Sequence, residues 1–282
     1  MTNVLIGVDE LRARLDEPRL RIADVRFDLA DTAKGEAAYR SAHVPGAIYA
    51  HLDRDLSDHS LNGLGRHPLP DAETFARWLS LIGYAPDQAW VVYDEANGSF
   101  AARLWWMLRA VGHRDVRVLD GGCAAWVAAK APFTDAVPNV VPTSVEVRYA
   151  ESTTADFAEV DALRNDGSRR LVDARATPRF RGEVEPLDPV AGHVPGAINR
   201  PFADNLDASG RFKPAEALRE EWLRMLGGVS PERVVHMCGS GVTACHNLLA
   251  MEHAGLSGSR LFPPSWSGWV GDRRRAVATG DV

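Results

Sequence analysis

Short apolar runs alternate along this chain with longer stretches whose apolar residues recur at helical spacing. Leu20-Arg-Ile-Ala-Asp24 reads as a strand, and Asp71 to Ile82 as a helix closed by Gly83. Trp90-Val-Val-Tyr93 is a second strand, Phe100 to Ala110 a helix closed at Gly112, and Val116-Arg-Val-Leu119 a third strand. The order then repeats. Leu171-Val-Asp173, Arg233-Val-Val-His236 and Ser259-Arg-Leu-Phe262 read as strands, with helices from Glu216 to Leu226 and from Thr243 to Ala254. Strand-helix alternation predicts an α/β fold, a parallel sheet flanked by helices on both faces.

Exact matches support the repeat. His43-Val-Pro-Gly-Ala-Ile48 recurs as His193-Val-Pro-Gly-Ala-Ile198, and Asp24-Val-Arg26 as Asp173-Ala-Arg175. Gly112 matches Gly255, Trp126 matches Trp269, and Asp94 falls against Cys238. The small drift in offset marks loop insertions and deletions. A period this long describes two globular copies rather than a solenoid. The expected organisation is a first domain over residues 1–130, a linker over 131–150 and a second domain over 151–282. Pro132, Pro138 and Pro142 fall in the linker, which lacks a helical pattern.

The copies part where chemistry would occur. In the second, the strand runs into Cys238-Gly-Ser-Gly-Val-Thr243 and then a helix expected to start near Val242. Gly239 and Gly241 are expected to take positive φ, so that successive amides from Gly239 through Val242 and Thr243 form an anion-binding nest. The helix dipole adds positive potential, and ligands of such sheets gather beyond the strands' carboxyl ends. A cysteine there is placed to act as a thiolate nucleophile. The first copy has Asp94-Glu-Ala-Asn-Gly98 instead, and Asp94 is expected to repel an anion. One catalytic and one supporting domain follow.

Bulk composition narrows the classes. Of 282 residues, 45% are hydrophobic and 25% charged, and the net charge is −6, which gives no electrostatic case for nucleic-acid binding. No apolar run is long enough for a membrane helix, and the first residues lack a signal peptide's pattern. Three cysteines make a poor disulfide framework, so a monomer in the reducing cytoplasm is expected. No metal site is expected.

The tandem architecture, the paired His-Val-Pro-Gly-Ala-Ile motifs, Asp173-Ala-Arg175 and the Cys238–Thr243 loop together resemble the two-domain rhodanese family of sulfurtransferases. The resemblance implies a ping-pong reaction without a cofactor. Cys238 takes a sulfane sulfur from a small-molecule donor, becomes a persulfide, and passes the sulfur to a thiophilic acceptor such as cyanide, a thiol or a thioredoxin-like reductant. The Cys-Gly-Ser-Gly-Val-Thr loop is that of the mercaptopyruvate enzymes; thiosulfate is the alternative donor. The same resemblance implies that Arg179 holds the donor carboxylate and that Asp53, His67 and Ser240 form a proton relay. Two departures stand out. A second family arginine falls on Leu187, and the family's Tyr-Asp-Gly-Ser-Trp-Ser-Glu-Trp stretch is Phe262-Pro-Pro-Ser-Trp-Ser-Gly-Trp269 here. His43 and His193 read as structural, Cys245 as a helix-core residue and Cys123 as idle.

Two rival classes fit less well. A cysteine phosphatase needs an arginine six residues after the nucleophile, where this chain has Ala244. A non-catalytic module predicts a lost cysteine or a broken loop, and both are intact, while a persulfide carrier serving a downstream acceptor protein rests on the same chemistry and stays open.

Overall fold

The computed structural model describes residues 3–95, 97–164 and 166–281. The first half holds strands β1 (Leu5–Ile6), β2 (Leu20–Asp24), β3 (Ala47–Tyr49), β4 (Ala89–Tyr93) and β5 (Val116–Leu119), all parallel, in the order β1-β5-β4-β2-β3. The second half holds β6 (Arg170–Asp173), β7 (Ile198–Asn199), β8 (Val234–Met237) and β9 (Arg260–Leu261), parallel in the order β7-β6-β8-β9. Both sheets are flanked by helices, the α/β arrangement expected from the alternating pattern. Residues 131–150 contain no helix or strand.

The repeated motifs have a common physical purpose. Asp24 accepts the Arg26 backbone N–H at 3.0 Å and grips its guanidinium through Nε and Nη2 at 2.9 and 2.7 Å. Arg26 Nη2 also donates to Ala42 O at 2.7 Å, just before the His43 turn. Asp173, Arg175 and Gly192 O repeat this before His193. Buried forks of this kind collapse if one partner is removed, at a cost of about 3–5 kcal/mol. Each clamp pins a Val-Pro-Gly turn, with Gly46 at φ +79° and Gly196 at φ +80°, and each turn delivers an edge strand. His43 stacks on Tyr39 and bonds Tyr39 O through Nδ1; His193 does the same with Phe180.

Each sheet buries one face in a core of its own. The opposite faces share a single continuous core that crosses between the domains. At its centre the helix Ala101–Ala110, which follows β4, packs against Ala244–His253, which follows β8. Both helices are buried almost all round, which explains their lack of a polar stripe. The second begins at Ala244 rather than near Val242, so the sulfur-bearing loop is two residues longer than the pattern suggested. Because the two helices are the partners across the seam, the loops ahead of them meet there as well.

Candidate active site

Cys238 follows the last residue of β8 and is 1% exposed. Its N–H donates to Ser265 Oγ at 3.1 Å, and that hydroxyl donates to Phe262 O at 3.0 Å. Trp266 N–H and Ser267 N–H bond the carbonyls of Cys238 and Gly239 at 3.0 and 2.9 Å. The departures at Pro263, Pro264 and Gly268 therefore leave a floor beneath the loop, built by Ser265, Trp266 and Ser267. Ser265 holds it with φ +51°, a costly conformation for a serine.

The loop's donors are unspent. None of the N–H groups from Gly239 to Ala244 has an acceptor among the described residues. The twin loop shows what such groups take. Asp94 fills that place with its own carboxylate, accepting from Gly98, Phe100 and Ala101 N–H at 3.0, 2.8 and 3.1 Å, which leaves no room or charge for another anion. The first domain carries its nest filled from within, whereas the second leaves the equivalent donors beside a thiol.

One of the two glycines has the expected positive φ and the other does not. Gly241 takes φ +77°, and a Cβ there would lie 2.4 Å from Pro263 O. Gly239 does not have positive φ; it is small because a Cβ would stand 2.9 Å from Arg66 Nη2 and 3.6 Å from both Arg179 Nη atoms. Gly239, Ser240, Val242 and Thr243 line a cavity of about 290 Å³ with Cys238, while Gly241 is turned away from it. Gly241 thus shapes the loop rather than the cavity wall.

The predicted relay residues come together across the domain seam. His67 Nδ1 lies 2.7 Å from Ser240 Oγ, and His67 Nε2 lies 3.3 Å from Asp53 Oδ1. Asp53 approaches Nε2 without a hydrogen bond; an imidazole protonated on Nε2 would leave Nδ1 to accept the serine hydroxyl proton. Burial, with Arg103 and Arg66 nearby, pushes the His67 pKa down to about 4 despite the opposing Asp53. The imidazole is a neutral base at pH 7. Asp53 stands behind His67, off the cavity wall, and also approaches His59 at 3.4 Å.

Two guanidinium groups overhang Gly239. Arg179 donates to Glu185 at 2.7 and 3.2 Å and to Asp188 Oδ2 at 3.4 Å, and Arg66 pairs with Asp188 from the other domain. Arg179 Nη1 and Arg66 Nη2 have no acceptor among the described residues, and both residues line the cavity. Arg66 escaped the sequence reading, although it directly precedes His67; its partner Asp188 is 122 positions away. Leu187, where the family arginine was expected, lies at the cavity rim, 47% exposed.

The remaining cysteines are chemically quiet. Burial pushes Cys245 up to about 12 and Cys123 up to about 11, and the Cys245 thiol donates to Gly241 O. Among the described residues no helix is long and apolar enough to cross a membrane, and no group of three or more His, Cys, Asp or Glu side chains is placed to hold a metal ion.

Comparison with known proteins fits this geometry. The rhodanese-like domain family matches residues 7–129 and again 156–272. A probable 3-mercaptopyruvate sulfurtransferase of Pseudomonas aeruginosa is 47% identical over 279 residues, 98% of each chain. A putative thiosulfate sulfurtransferase of Mycobacterium tuberculosis is 39% identical, covering 98% of this chain and 97% of that protein. The structure of 3-mercaptopyruvate sulfurtransferase from Leishmania major superposes with a TM-score of 0.83 at 30% identity, over 96% of this chain and 75% of that one. With two matched domains and relatives of this identity over nearly its whole length, the chain belongs to the rhodanese family.

Proposed function

We propose that the protein is a 3-mercaptopyruvate sulfurtransferase working through a Cys238 persulfide. The observation that carries this reading is the Asp53–His67–Ser240 line reaching the loop that holds the thiol. In the first half-reaction the Cys238 thiolate attacks the donor sulfur, the carbon–sulfur bond breaks, and its electron pair leaves as the enolate of pyruvate. The donor's thiol proton must travel from sulfur to that carbon. Ser240 is placed to pass it, with His67 Nδ1 as the base that takes and returns the serine proton. The unspent amides of the loop stabilise the anionic persulfide. In the second half-reaction the terminal sulfur goes to cyanide, giving thiocyanate and free thiolate, or to a thiol or a thioredoxin-like reductant.

Charge favours mercaptopyruvate over thiosulfate. Arg66, Arg179 and Arg175 are matched by Asp188, Glu185 and Asp173, so the cavity suits one carboxylate better than a dianion. The spare Arg179 Nη1 and Arg66 Nη2 are placed to hold that carboxylate. Thiosulfate transfer needs no proton relay. The loss at Leu187 of the family's second arginine weakens mercaptopyruvate, and the Mycobacterium relative's name supports thiosulfate as a second reading. Three free cysteines suit a monomer in a reducing cytoplasm.

The test is sulfur transfer to cyanide with each donor in parallel, with mass spectrometry of the enzyme after donor alone. We expect a higher kcat/KM with 3-mercaptopyruvate and one added sulfur atom on Cys238. Cys238→Ser should abolish both, and full activity in that variant would end the mechanism.

A further inference from the structure

Arg103 is 0% exposed, in the helix Ala101–Ala110 of the first domain. Among the described residues it has no carboxylate partner, and its Nε has no acceptor. Buried guanidinium groups are normally paired, because burying an unpaired cation costs several kcal/mol. Here the guanidinium faces three carbonyls, with the Cys245 thiol beside it. Nη1 donates to Gly241 O at 3.0 Å, and Nη2 donates to Leu56 O at 3.2 Å and His67 O at 3.4 Å.

Those carbonyls mark the three segments of the proposed relay. Leu56 ends the turn that carries Asp53, His67 is the base, and Gly241 adjoins Ser240. The Gly241 contact does a second thing. In a trans peptide the C=O and the following N–H point in opposite directions. Drawing Gly241 O toward Arg103 turns the Val242 N–H the other way, and Val242 lines the cavity. The same fork therefore sets the spacing of the relay and the orientation of a loop amide.

Resting on the relay reading above, we propose that Arg103 is the positioning residue that holds Asp53, His67 and Ser240 in line across the domain seam and aims the Gly241–Val242 peptide. The groups facing His67 are Asp53, Arg66, Arg103 and His59. Burial chiefly keeps the imidazole neutral and the Arg103 cation adds to it, so its charge should be visible in the pH dependence of the donor half-reaction.

The experiment compares Arg103→Met, Arg103→Lys and His67→Asn by rapid mixing with 3-mercaptopyruvate across pH, with circular dichroism as the fold check. For Arg103→Met we expect donor-half-reaction rates about 100-fold lower, the scale for a catalytic group misplaced by about 1 Å. The acid limb of its pH profile should move upward, because His67 loses a repelling cation. Arg103→Lys keeps the charge but cannot span three carbonyls; its rate should fall while the acid limb stays in place. A folded Arg103→Met with the wild-type rate, or with a lowered rate and an unmoved limb, overturns the proposal. If Arg103→Met does not fold, a wild-type rate in Arg103→Lys overturns it, and a lowered rate with the limb in place supports it. His67→Asn separates the layers. A wild-type rate there removes the relay and the proposal with it, whereas a slow His67→Asn beside an unaffected Arg103→Met removes the proposal alone.

Discussion

Two glycines with the same backbone and different surroundings offer a controlled perturbation. Gly98 in the first domain's loop has φ +76° and Gly241 in the second has φ +77°. Alanine at either should cost about 1–2 kcal/mol for the left-handed conformation. Beyond that they diverge. At Gly98 the nearest atom to a new Cβ is Phe212 Cε2 at 3.5 Å, an ordinary contact. At Gly241 it is the Pro263 carbonyl oxygen at 2.4 Å, close to 1 Å inside the roughly 3.3 Å that a carbon and a carbonyl oxygen tolerate. Pro263 is backbone on the floor under Cys238, and Gly241 O is held by Arg103, so neither side yields cheaply. The loop must shift by about 1 Å, which costs on the order of 100-fold in rate. Gly98→Ala should lower the melting temperature by a few degrees and leave kcat/KM near wild type. Gly241→Ala should lose about 100-fold in kcat/KM with 3-mercaptopyruvate, and Cys238 should alkylate with altered kinetics. Melting curves and steady-state assays on the pair decide it. If Gly241→Ala falls within twofold of Gly98→Ala in kcat/KM, the loop geometry is not what sets the rate.

Other predictions follow the same geometry. Asp94→Ala leaves three loop amides without their carboxylate, so it should cost about 2–4 kcal/mol of stability in chemical denaturation, with kcat per folded molecule unchanged; a parallel loss of kcat would contradict the supporting role of that loop. Arg66→Gln should raise KM for 3-mercaptopyruvate about tenfold with kcat nearly constant, and an unchanged KM would remove Arg66 from donor binding. Burial pushes His67, His236 and His246 down to about 4, 3 and 4. As pH falls from 6.5 toward 4, the unfolded chain takes up protons that the folded one refuses, so stability is full above 6.5 and declines below it. Each histidine contributes about 1.4 kcal/mol per pH unit there, roughly 4 for all three. Urea unfolding at pH 7.5 and 5.5 should show that loss, and equal stability at both would refute it.

Local patterning carried the architecture and singled out Cys238 as the candidate nucleophile. Repeated motifs and alternating elements require no three-dimensional information, because strand and helix periodicity and glycine turns are local. Cys238 was legible for the same reason: strand, glycine loop and helix form one contiguous segment. The resemblance to a known family added Asp53, His67, Ser240 and Arg179 as candidates. Short edge strands such as Ile198–Asn199 were not legible, since two residues carry no period and the clamp from Asp173 through Arg175 fixes them. What surrounds the sulfur follows from long-range contacts. Arg66 and Asp188 meet across the seam, Arg103 gathers carbonyls from three separate segments, and Gly239 is small because a distant arginine lies over it. Each depends on contacts between residues far apart in the chain, which local hydrophobic patterning does not encode. They arise because the shared core brings the two loop-bearing helices face to face.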